Sequence, residues 1–120
     1  MILRNRLPVG LLCTALVTAC GSVHDQQIDG PYRLVAIDVD EQMDVCYSIQ
    51  DAGVGRISVT VFAVGHDASY IVAARHPSNN RKITEYFYLI RSLDAPAFDP
   101  SASVRGPFSS EAFEAERARL

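Results

Sequence analysis

From Tyr32 onward the apolar residues of this chain recur in short runs with a period of two, separated by segments that carry aspartate, glycine, proline or asparagine. A period of two puts successive side chains on opposite faces of an extended strand, whereas a helix needs 3.6. Met43, Val45, Tyr47 and Ile49 alternate with Asp44, Cys46, Ser48 and Gln50, which describes a half-buried strand. "YRLVAIDV", Tyr32 to Val39, is apolar on both faces and suits a central strand. Ile57, Val59, Val61 and Ala63 line one face of a third strand, with Phe62 and Val64 on the other. Tyr70 to Arg75 and "ITEYFYLIR", Ile83 to Arg91, supply a fourth and a fifth. "DAGVGR", "GHDAS" and "HPSNNRK" between them carry the residues that turns require. Connections this short join antiparallel neighbours, so the expected core is an up-and-down meander of about five strands.

The end of the chain changes period. A loop from Ser92 to Pro107 leads to Ser109, a good N-cap, with Phe108 and Phe113 spaced as a hydrophobic staple. Glu111 and Glu114 stand early in the predicted helix and Arg117 and Arg119 late, as the helix dipole favours. Its apolar set is thin (Ala112, Phe113, Ala115, Leu120), which predicts a lid on the sheet and not a core element. The class is therefore α+β.

The first 19 residues read as a leader. Arg4 and Arg6 precede an apolar run from Leu7 to Ala19, interrupted by Pro8 and Gly10, and small residues close it. A membrane-spanning helix needs about 20 apolar residues; this run has 13. "LVTAC", Leu16 to Cys20, resembles the bacterial lipobox, in which the cysteine thiol is diacylated and becomes the new N-terminus. Val17-x-Ala19 also satisfies the common signal peptidase, which would release an unlipidated protein. Under the lipobox reading Cys20 is the lipidation site, and two or more acyl chains hold a protein firmly to a bilayer. Gly21 stands where the sorting rule of enterobacterial lipoproteins places Asp for inner-membrane retention, so the resemblance implies the periplasmic face of an outer membrane.

Cleavage before Cys20 removes Cys13 and, with Cys20 acylated, leaves Cys46 as the only thiol. It reads as a small buried hydrophobe, although an unlipidated Cys20 would open a Cys20–Cys46 disulfide. Cleavage also takes the basic count from 11 to 9 against 14 acidic residues, a net charge of −5. Such a body does not bind nucleic acid or anionic lipid through basic patches. The expected organisation is a leader over residues 1–19, a lipidated cysteine and flexible tether over 20–30, and one domain over 31–120.

Catalytic and metal-ligand patterns are weak. His24 and Asp25 read as solvated tether residues. His66 and Asp67 share a loop, while His76 lies at the far end of the next strand, about 20 Å away at ~3.3 Å per residue. Asp38, Asp40, Glu41 and Asp44 lack the spacing of an EF-hand. There is no G-x-S-x-G and no G-x-G-x-x-G. No catalytic residue, metal ligand or cofactor is assigned. Tyr86 and Tyr88 share a strand face and form either a recognition surface or packing beneath the helix.

"GPYRLVAIDVDEQMDVCYSI", "TVFAVGHDASYIVAARHP", "ITEYFYLI" and "GPFSSEAFEAERARL" together resemble a family of small bacterial lipoproteins of unknown function. The resemblance spans nearly the whole mature chain and implies a lipid-anchored single domain in the cell envelope, with no activity attached. The expected function is a non-enzymatic binding or inhibitory module with a protein or cell-wall partner. The alternative is a small metal-dependent or hydrolytic enzyme of the envelope.

Overall fold

A computed structural model describes residues 23–50, 52–96 and 99–120; the expected leader over residues 1–19 and the lipidation expected at Cys20 lie outside them. Eight strands follow one another: β1 (His24–Asp29), β2 (Tyr32–Ala36), β3 (Asp44–Ile49), β4 (Ala52–Ile57), β5 (Val61–His66), β6 (Tyr70–Arg75), β7 (Glu85–Ile90) and β8 (Val104–Phe108). Among the described residues one α-helix, α1 (Ser110–Arg119), follows the last strand. The strands form two antiparallel four-stranded meanders, β1-β2-β3-β4 and β5-β6-β7-β8. Their inner faces pack together: Val45 and Ile57 of the first sheet meet Val61, Ala73 and Phe87 of the second, and Tyr32 meets Ile71 and Leu89. The body is therefore a small β-sandwich with a helix on one outer face, and it has eight strands where five were expected.

The three additional strands lie where the sequence reads as tether, turn and loop. Residues 24–29 pair with β2, Asp25 opposite Val35 and Gln26 opposite Leu34, so the flexible tether expected over residues 20–30 is strand from His24. Of its residues only Ile28 packs against the core. Strand β1 is held mostly by its ladder and by the Arg33–Asp25 ion pair, as an edge strand can be. Segment 52–57, read as a turn, forms β4; the reversal is made at Gln50, whose φ is +49°. The chain then breaks at Ser58–Thr60, dividing the expected third strand between β4 and β5. In β8, Gly106 has φ +132°, and a Cβ there would stand 2.7 Å from Phe87 Cδ2 and 2.8 Å from the Tyr86 carbonyl oxygen. Only glycine lets this edge strand run so close to β7.

The C-terminal expectation holds. Ser109 is the N-cap, its Oγ accepting from the Ala112 N–H at 3.2 Å. The rings of Phe108 and Phe113 lie 6.5 Å apart, close enough for the staple. Phe113 is the buried residue of α1, which rests as a lid on the outer face of the second sheet.

Candidate binding groove

The helix covers the β7–β8 half of that outer face. Tyr86 stacks on Phe113 with ring centroids 5.2 Å apart, and Tyr88 stacks on Phe108 at 5.8 Å. The Tyr88 hydroxyl donates to Glu116 at 2.8 Å. Burial, and then this bond to a carboxylate, push the hydroxyl's pKa up. Tyr88 is buried beneath α1 and its flanking Phe108, while Tyr86 packs on Phe113 and stays half-buried at the edge of the helix.

The β5–β6 half of the face is left open. Register places Ala63 opposite Ala74 and Gly65 opposite Val72, so the floor beside the helix is built from small side chains. Tyr86 and Phe113 rise along its edge and bound a groove of about 270 Å³. At Gly65 a Cβ would come within 3.2 Å of Val72 Cγ2. Past Val72 and Phe113 the groove continues into a second hollow of about 370 Å³ reaching His66, Asp67, Arg117 and Leu120. The Asp67 carboxylate accepts from the Tyr70 and Ser69 N–H groups at 2.8 Å each, which hold its pKa below the usual range. The result is a trough, apolar at one end and charged at the other, beside β5, which among the described strands pairs with β6 alone.

The most elaborate polar cluster serves the interior. A register shift in the β3–β4 ladder falls beside Arg56, and such a bulge re-aims a side chain. Arg56 points inward: its Nε donates to both Asp94 carboxylate oxygens at 3.0 Å, its Nη2 donates to the Ala95 carbonyl at 2.9 Å, and its guanidinium lies over the Tyr47 ring. Asp94 also accepts from the Tyr32 hydroxyl at 2.8 Å and from Ser103 Oγ at 3.0 Å. Burial first, and the bond to Asp94 second, raise the Tyr32 hydroxyl well above its ordinary value. Four segments are tied at one carboxylate, each group engaged by another; the arrangement is a clamp between the sheets.

The remaining candidates are dispersed. Cys46 is buried and donates to Asp44 Oδ1 at 3.1 Å; burial and then this neighbour push its thiol up to about 12, which keeps it protonated. His66 is at the turn end of the β5–β6 hairpin, and His76 is at the other end, stacked on Phe62 at 4.1 Å. His24 and Asp25 belong to β1, not to a solvated tether. Among the described residues no group of three His, Cys, Asp or Glu side chains is placed to hold a metal ion, and no helix is long and apolar enough to cross a membrane.

No family model, curated protein or solved structure matches this chain. The groove was not legible in advance, although a trace of it is present: "FAVG" and "VAA" put small residues at alternate positions on strands that then pair side by side. The Arg56–Asp94 clamp has no local signal, because its partners are 38 residues apart.

Proposed function

We propose that this chain is a bacterial envelope lipoprotein, held to its membrane through acyl chains on Cys20, whose body is a non-enzymatic binding module for an extended segment of a protein partner. The groove between α1 and β5 carries the reading. Its floor is apolar and too shallow to enclose a compact substrate, and it runs along an edge strand, where an extended chain gains backbone hydrogen bonds and side-chain pockets together. The shifted titratable groups support a binding role, since Tyr32, Cys46 and Tyr88 are engaged in internal contacts and the Asp67 carboxylate in the trough is taken up by the Ser69 and Tyr70 N–H groups. A membrane anchor raises the effective concentration of any partner nearby, so a shallow groove suffices.

Two measurements test this. Mass spectrometry of the mature N-terminus is expected to find Cys20 carrying a diacylglycerol thioether, and an unmodified Cys20 or cleavage elsewhere overturns the anchor. Crosslinked partners recovered from the native envelope are expected to fall about tenfold with Ala63→Arg, which fills the groove from an exposed position, a loss of ~1.4 kcal/mol. Equal recovery by both proteins overturns the groove.

A further inference from the structure

Among the described residues eight large apolar side chains are exposed, and five of them, Val23, Ile37, Val39, Phe62 and Ile83, are 46 to 57 % exposed and gather at one end of the sandwich. A chain of contacts places them together. The Val23 N–H donates to the carbonyls of Ala36 and Ile37, and the turn holding Val39 is closed by Gln42 N–H to Val39 O. Thr60 Oγ1 donates to the Glu41 carbonyl, and the Val61 N–H donates to Met43 O, crossing to the second sheet. Thr60 exchanges two backbone bonds with His76, which stacks on Phe62 and bonds through Nδ1 to the Ile83 carbonyl. The opposite end is charged, since Asp29, Asp67 and Arg91 meet there, and of the eight it carries two, Leu93 and Leu120.

Strand β1 begins at this same apolar end, and its backbone is already bonded at Val23. Three peptide units separate Val23 from Cys20, and they span at most about 11 Å. A flexible tether would let the body float in any orientation. A leash this short holds one end of it at the headgroups, and that end is the one rimmed with apolar side chains. We propose that the Val23–Ile37–Val39–Phe62–Ile83 end is a membrane-docking surface, seated in the interfacial layer of the bilayer that holds the acyl chains. The proposal rests on the lipid anchor at Cys20. Exposed apolar residues grouped on one surface mark such contacts, and an apolar face of this kind enters the headgroup–acyl boundary by ~5–10 Å. The nearby charges leave a small acidic excess, Asp38, Asp40, Glu41 and Asp44 at the end of the first sheet against Arg81 and Lys82 before Ile83, so docking gains nothing from anionic lipid.

The chain contains no tryptophan, so a single introduced indole reports its own depth. The full chain, processed and lipidated, is prepared as Phe62→Trp and as Ala68→Trp, the latter at the polar end, and is reconstituted into phosphatidylcholine vesicles with brominated acyl chains. Flotation reads the anchor, and quenching reads the docking. Both variants are expected to float, with Phe62→Trp emission quenched about twofold or more and Ala68→Trp unquenched, since bromines reach only indoles at the acyl boundary. Ile83→Trp stands in should Phe62→Trp not fold, and it is expected to be quenched in the same way. Floating protein with neither indole, or both equally, quenched overturns the docking surface and leaves the anchor standing. Protein that does not float overturns the anchor itself. A Cys20→Ser form that sediments as a dimer, with its Phe62→Trp indole shielded in the absence of lipid, assigns this end to a second copy and overturns the bilayer.

Discussion

Two arginine–aspartate pairs join the sheets of this sandwich, and they are opposites in setting. Arg56 of β4 reaches Asp94 beyond β7, while Arg91 just beyond β7 reaches Asp29 of β1, so each sheet gives one arginine and one aspartate. The Arg56 and Asp94 side chains are 0 and 3 % exposed; those of Arg91 and Asp29 are 19 and 46 % exposed. Water screens the second pair and solvates its partners when it breaks, so its contribution is small. The first pair has no such fallback. Its charges are tolerable in the interior because Tyr32, Ser103 and the Ala95 carbonyl complete the shell. The same chemistry thus gives an obligatory clamp in one place and an adjustable surface contact in the other.

The largest expected effect is at Asp94. Asp94→Ala leaves Arg56 charged and buried without its partner and should lower the unfolding free energy by ~3–5 kcal/mol, read from urea denaturation. A loss below 1 kcal/mol would show that the interior is wetter than the side-chain exposures indicate and would erase the contrast between the pairs. Replacing both partners, Arg56→Met with Asp94→Leu, should be milder than Asp94→Ala alone, because no orphaned charge remains. Ser103→Ala removes one bond of the shell and should cost about 1 kcal/mol. Asp29→Ala should cost least of all, and its effect should fade further in high salt.

The pairs also differ in the direction of their pH dependence. The folded state raises the Tyr32 hydroxyl above its ordinary 10.0, so this contribution is complete below that value and is lost as the pH climbs beyond it. The Arg91 hydrogen bond holds Asp29 below its ordinary 3.8, so that contribution is present above 3.8 and fades as the pH falls through the lowered value. Thermal melts across both limits, with Tyr32→Phe and Asp29→Asn, should show the alkaline loss reduced only by the first and the acid loss reduced only by the second. A Tyr32→Phe protein as base-sensitive as the parent would place the alkaline transition elsewhere.

Legibility varied with the range over which each feature is encoded. Strand β6, Tyr70 to Arg75, has the bounds that its alternation suggests, and α1 starts at the Ser109 cap with Phe108 and Phe113 around it. Strand β1 has no local signature because "HDQQID" has one apolar residue packed on the core, Ile28, and is ordered by pairing with β2. Strand β4 was hidden by Gly53 and Gly55, which read as turn residues yet lie in a ladder where β3 supplies the partners. The lipidation proposed at Cys20 rests on a pattern of neighbouring residues, while the short leash proposed with it depends on where β1 begins.

The sequence by itself determined what is written in neighbours: the antiparallel alternation and the capped terminal helix. The tertiary structure alone decided that one sheet becomes two, that Arg56 finds Asp94, that α1 leaves half a sheet face open, and that five apolar side chains share one end. A strand's period and a helix's cap are settled within a few residues, whereas cross-sheet contacts depend on register and on the facing layer. No local pattern carries that information.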